Sequence, residues 1–208
     1  MRLTSTYSST MTIGDTPDAP AAFRRAVESL RGTEVRPEIE LEDIPAPQRL
    51  APYSAAIGAS VYRDGDELAI GRLILLYDPE QQRGWDGPFR LVAYVRADME
   101  PEITSDPLLG PVAWSWLTDA LEAHQAGYAE AGGTVTRAVS EGFGNKADDP
   151  VTTELELRAS WSPRDDDLSG HVAAWCDLMC LAAGMPPLPP DVASLSPRRR
   201  EDPESFRK

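Results

Sequence analysis

Apolar positions along the chain switch between two periods. Ala19, Phe23, Ala26, Val27 and Leu30 fall on one helical stripe, with Arg24, Arg25 and Glu28 facing away. Asp15 or Thr16 can cap this first helix, Pro17 suits its first turn and Gly32 ends it. The period then drops to two. Val35 to Ile44 alternates weakly and holds Pro37, which predicts an edge strand or an extended arm. The prolines from Pro45 to Pro52 predict an extended, polyproline-like connector. Tyr53, Ala55, Ile57, Ala59 and Val61 alternate as a half-buried strand does. Asp64-Gly65-Asp66 predicts a tight hairpin, and Leu68 to Tyr77 returns with apolar residues on both faces, as a central strand does. A loop through Trp85-Asp86-Gly87-Pro88 leads to a further inward row, Phe89, Leu91, Ala93 and Val95.

The second half adds two helices and a second hairpin. From Pro107 to His124 the apolar residues spread over about 220° of a wheel turning 100° per residue, too wide for one sheet face. This helix is expected to be covered on two sides, with Trp114 at the rim of the arc. Gly132-Gly133 predicts the start of a hairpin. Val135, Arg137 and Val139 make one side of its first strand, and Leu155, Leu157, Ala159 and Trp161 face inward on its second. Asp165, Asp166 and Asp167 sit where a helix N-terminus favours anions. The helix that follows, Leu168 to Ala183, is apolar almost all round, interrupted beyond its first turn only by His171 and Asp177. It is expected to be deeply buried or packed against a second copy. The order α-β-βββ-α-ββ-α predicts an α+β fold, an antiparallel sheet of five to six strands with helices on one face. One domain is expected over 17–187, after a disordered leader (1–16) and before a Pro-rich, then basic, disordered tail (188–208).

Charge narrows the partners. The net charge is −14, from 34 acidic and 20 basic residues. A body this acidic repels phosphate backbones, which argues against direct nucleic-acid binding by the domain. The exception is the tail, where Arg198, Arg199, Arg200, Arg207 and Lys208 outnumber the acids and offer a weak RNA contact. Two cysteines give no disulfide framework. The first residues lack the apolar core of a signal peptide, and no stretch has the run of about 18 apolar residues that a membrane span needs. The cytoplasm is the expected compartment.

Candidate chemistry is sparse. Cys176 and Cys180 share a helix face, but a structural zinc site takes four ligands, so two buried apolar thiols are expected. His171 lacks an accompanying nucleophile motif and reads as a structural histidine. Asp64/Asp66 and Asp165–Asp167 read as a turn and a helix start rather than metal sites. Gly142-Phe143-Gly144-Asn145-Lys146 lacks phosphate-loop spacing and reads as a hairpin loop. No catalytic residue, metal or cofactor is therefore expected. The remaining set is on the outward sheet face. Arg90, Arg96, Arg137 and Arg158, with Tyr94 and with Trp85 on the loop leading in, are the candidate ligand-binding residues, because guanidinium groups on adjacent strands hold carboxylates or phosphates. Ordinary cross-strand pairing with Glu154 and Glu156 competes with that reading.

Four stretches carry a resemblance. Arg36-Pro37-Glu38 with Ile44 to Tyr53, Trp85-Asp86-Gly87 with Phe89-Arg90-Leu91-Val92, Trp114 to Leu121, and Glu156 to Trp161 resemble an actinobacterial family of uncharacterised proteins, over most of residues 19–187. The resemblance implies a family and no activity. In element order the chain is also loosely similar to the secretion-chaperone-like fold, whose members are small, acidic and often dimeric, although an extra edge strand here precedes the strand triplet.

Two functions from different classes remain. The first is a non-enzymatic binding or adaptor protein that acts through protein–protein contacts, with a protein partner or a homodimer. The second is a small-molecule sensor or enzyme that uses the arginine-lined face for an acidic ligand.

Overall fold

The computed structural model describes residues 19–186. The expected leader (1–16), the helix start at Asp15 to Pro17 and the tail (188–208) with Arg198–Arg200 lie outside the described residues. Six strands form one antiparallel sheet: β1 (Ile39–Asp43), β2 (Tyr53–Arg63), β3 (Asp66–Tyr77), β4 (Phe89–Asp98), β5 (Tyr128–Ser140) and β6 (Thr152–Pro163), in spatial order β1-β2-β3-β4-β6-β5. Four helices, α1 (Ala21–Gly32), α2 (Pro101–Thr104), α3 (Leu109–Ala123) and α4 (Ser169–Ala182), pack against one face. The fold is α+β in the order that the alternation of periods predicts.

Local chemistry explains the boundaries. Asp64 and Gly65 both have positive φ (56° and 96°), the backbone of a two-residue hairpin turn whose twist matches its strands. The first helix begins at Ala21, four residues after Pro17, because Pro20 holds the residue before it out of helical geometry. Pro20 O then accepts the first helical bond, from Arg24 N. The expected helix from Pro107 to His124 is α3, which starts two residues later and ends one residue earlier. A short α2 stops at Thr104, and Asp106 accepts from Leu108 N (2.8 Å) to restart the chain as α3. Gly132 and Gly133 lie inside β5 rather than at a hairpin start. The strand begins at Tyr128, and a register shift between Ala129 and Gly132 absorbs the irregularity. The hairpin loop is residues 141–151, with a 3-10 turn at Gly144–Lys146. Of the acids before α4, Asp167 accepts at Oδ1 from Ser169 N and Oγ at the helix start, while Asp166 pairs with Arg25 at 2.6 Å.

The core lies between the odd-numbered rows of the sheet and the helices. At one end Phe23, Tyr53, Tyr77 and Phe89 pack as a chain of rings with centroids 4.8 to 6.0 Å apart. At the centre α4 is enclosed within the chain, by β3 and β4 beneath, α3 alongside and α1 at one flank. Its all-round apolarity is thus satisfied internally, without a second copy. The approach is close at Gly71, where an added Cβ would stand 2.6 Å from Met179 Sδ and 2.7 Å from Trp175 Cζ2. The wide arc of α3 is likewise divided. Ala113, Leu117 and Leu121 enter the core, and Trp114 lies over Gly133 of β5. Leu108 and Val112 stay exposed.

His171 belongs to this core. Its Nδ1 accepts from Trp161 Nε1 (3.1 Å), so the ring proton of the neutral form sits on Nε2. Burial lowers its pKa to about 4, with Asp165 and Asp167 opposing weakly. The unfolded chain therefore takes up a proton that the folded chain refuses between pH 6.5 and about 4, and stability falls as pH drops through that window.

Two outcomes test this packing. Gly71→Ala is expected to lower unfolding free energy by about 1–3 kcal/mol in urea titrations, because the rigid Trp175 ring must move. His171→Gln keeps an acceptor for Trp161 and removes the titration. Relative to the variant, wild type is expected to lose up to about 3 kcal/mol as pH falls from 6.5 to 4, read from paired denaturation curves.

Candidate functional site

With the helices on one side, the even-numbered side chains of the sheet face outward. Register places Glu42, Gly58, Arg72, Tyr94, Arg158 and Thr134 in one row across all six strands. The adjoining row runs Ser60, Ile70, Arg96 and Glu156. Over β1 to β4 this face hollows into a depression of about 800 Å³. Ile44 and Pro45, from the proline-rich connector, form one wall, and Ile74 and Val92 contribute apolar floor. Gly58 makes the hollow feasible. A Cβ there would stand 3.1 Å from the side chains of Glu42 and Ile44, which fold over β2 in the space it leaves.

Arg72, Tyr94 and Arg96 line the same depression. Neither Arg72 nor Arg96 makes a hydrogen bond or ion pair within the described residues, so both guanidinium groups have free donors beside an apolar hollow. Tyr94 donates to Glu156 Oε2 (3.0 Å), and burial together with that carboxylate raises its pKa, so the phenol keeps its proton. Arg158 is held at the rim by Glu156 (2.9 Å) and stacks on the Tyr94 ring at 5.7 Å.

The other sequence-derived candidates lie elsewhere. Arg90 is bound to Ser160 Oγ (2.7 Å), Ser162 Oγ (3.3 Å) and Glu130 O (2.9 Å), where it pins the β5 bulge. Burial lowers its pKa, with Glu130 opposing. Arg137 faces the helices, because its register partner is the inward Leu155. It donates to Asp106 O (2.7 Å) and Thr104 O (3.3 Å) and so satisfies the end of α2. Trp85 is half-buried on the loop before Phe89, outside the depression, and next to Asp86, whose N–H donates to Ser162 Oγ. The structure therefore brings together Tyr94 and Arg96, keeps Arg158 at their side, and separates Arg90, Arg137 and Trp85.

Arg72 is the residue that sequence reasoning missed. Its signal was present: it is the single charge in the apolar run Leu68 to Leu76, at the parity opposite Leu73. A second pairing was also missed. His124 at the end of α3 meets Asp177 of α4 at 2.7 Å, which ties the two helices. The thiols are poor nucleophiles. Burial pushes Cys180 up to about 11 and Cys176 higher still. Among the described residues no group of three or more His, Cys, Asp or Glu is placed to hold a metal ion. No helix among the described residues is long and apolar enough to cross a membrane.

No curated protein and no solved structure matches the chain. The model of one family, described as proteins of unknown function (DUF3000), matches residues 19–193, and the chain belongs to that family.

Proposed function

We propose that this protein is a non-catalytic binding protein that uses the open face of its sheet to hold an acidic segment of a partner protein. The observation that supports it is the pairing of two free guanidinium groups, Arg72 and Arg96, with the apolar hollow between Ile44, Ile74 and Val92. Arginine donors in a concave apolar setting suit carboxylates, and the partly shielded site strengthens each charged hydrogen bond. The chain's own acidity works against nucleic acid and against most acidic ligands at long range, so selectivity rests on this local reversal of sign. A second reading, a small acidic ligand in the hollow, is favoured by its volume of about 800 Å³, within the range of small-molecule sites.

The test compares wild type with Arg72→Glu/Arg96→Glu and with a helix-side control, Glu122→Lys. A partner captured from native cells is expected to bind wild type and the control, and to lose about 10- to 100-fold in affinity for the double variant. Thermal-shift screening against small carboxylates and phosphates separates the second reading. A ligand that raises the melting temperature of wild type but not of the double variant supports it. Equal binding by all three proteins refutes both readings.

A further inference from the structure

The two edges of the sheet are built differently. β1 is five residues long, carries Glu40, Glu42 and Asp43, and is flanked by Pro37 and Pro45. Short length, charge and proline all discourage another strand from adding there. β5 is 13 residues long, and among the described residues nothing pairs with its outer side. Its one irregularity is confined between Ala129 and Gly132, where Arg90 holds Glu130 O; from Gly132 to Ser140 it is paired without a shift. In a chain with 34 acidic residues, the run from Ala131 to Ser140 has none. Its single charge, Arg137, is turned onto the carbonyl groups of Thr104 and Asp106.

We propose that β5 pairs antiparallel with β5 of a second copy, joining two six-stranded sheets into one continuous sheet. A strand meeting itself across a two-fold axis brings like residues together, so an uncharged strip is what self-pairing requires, and any acid near the axis would oppose its own image. The guarded β1 edge fits the same assembly. One open edge and one closed edge give a dimer that stops at two, whereas two open edges would propagate into a filament. The interface differs from the α4 contact that apolarity alone suggested, and it leaves the open-face depression on β1 to β4 free.

Sedimentation velocity of the full chain across a micromolar concentration series, with hydrogen exchange on the same samples, tests this. Wild type is expected to sediment as a dimer, with β5 amides exchanging more slowly as concentration rises. Thr134→Asp and Thr136→Asp are exposed edge substitutions expected to give monomers with unchanged circular dichroism, while Glu40→Lys on β1 stays dimeric. The hydrogen-exchange arm needs no substitution, so it decides the matter even where a variant misfolds. A wild-type monomer at every concentration overturns the proposal, as does a dimer that persists in both β5 variants. Protection of β5 that is independent of concentration and vanishes on removing 1–18 or 187–208 assigns the edge to the chain's own terminus and overturns it too.

Discussion

With no side chain at Gly71, Trp175 and Met179 descend onto the middle of β3, and α4 lies closer to the sheet than side chains on both surfaces would allow. That contact sets the height of the helical layer. α3 packs on the flank of α4, and His124 of α3 clasps Asp177. Trp161 of β6 donates to His171 from below. The polar atoms in this interior are mostly satisfied, with Trp175 Nε1 the buried exception. A change at Gly71 would therefore propagate to α3 and to the His171 contact.

Placing the helical layer on one side leaves the other side of the sheet to solvent, and that asymmetry creates the candidate site. A doubly covered sheet would need apolar residues at both parities. Here the outward parity carries Arg72, Tyr94, Arg96, Glu156 and Arg158, interleaved with Ile70, Ile74 and Val92. The apolar members line the depression over β1 to β4, together with Ile44 and Pro45 of the connector. Toward β6, Glu156 pairs with Arg158 and accepts a hydrogen bond from Tyr94. The free guanidinium groups stand where these two zones meet.

The periods of the chain were enough to place the three long helices and every strand except the start of β5 to within a few residues, because a half-buried strand and an amphipathic helix leave distinct spacings. The misplacements have local causes. Pro20 moved a helix start, the four-residue α2 was too short to leave a period, and Gly132-Gly133 resembled a turn while serving a bulge. Of the site, Tyr94 and Arg96 were legible by parity. Arg137 was not, since its parity is inward and only α2, a four-residue helix, explains a charge there. Arg72 was hidden in a run that looked wholly buried. The hollow itself depends on Gly58 meeting Glu42 and Ile44 across strands, a tertiary fact that no spacing along the chain encodes.

The insertion of β6 between β4 and β5 has a consequence for biosynthesis. β4 emerges early but acquires its second neighbour only after residue 163 has been made, and α4 comes later still. Until then its row of Phe89, Leu91 and Val95 has neither its helical cover nor its last hydrogen-bonding partner. A nascent chain at that stage leaves one border of β4 unpaired until its carboxyl-terminal strand arrives, and unpaired strand borders are where incomplete chains stick to one another.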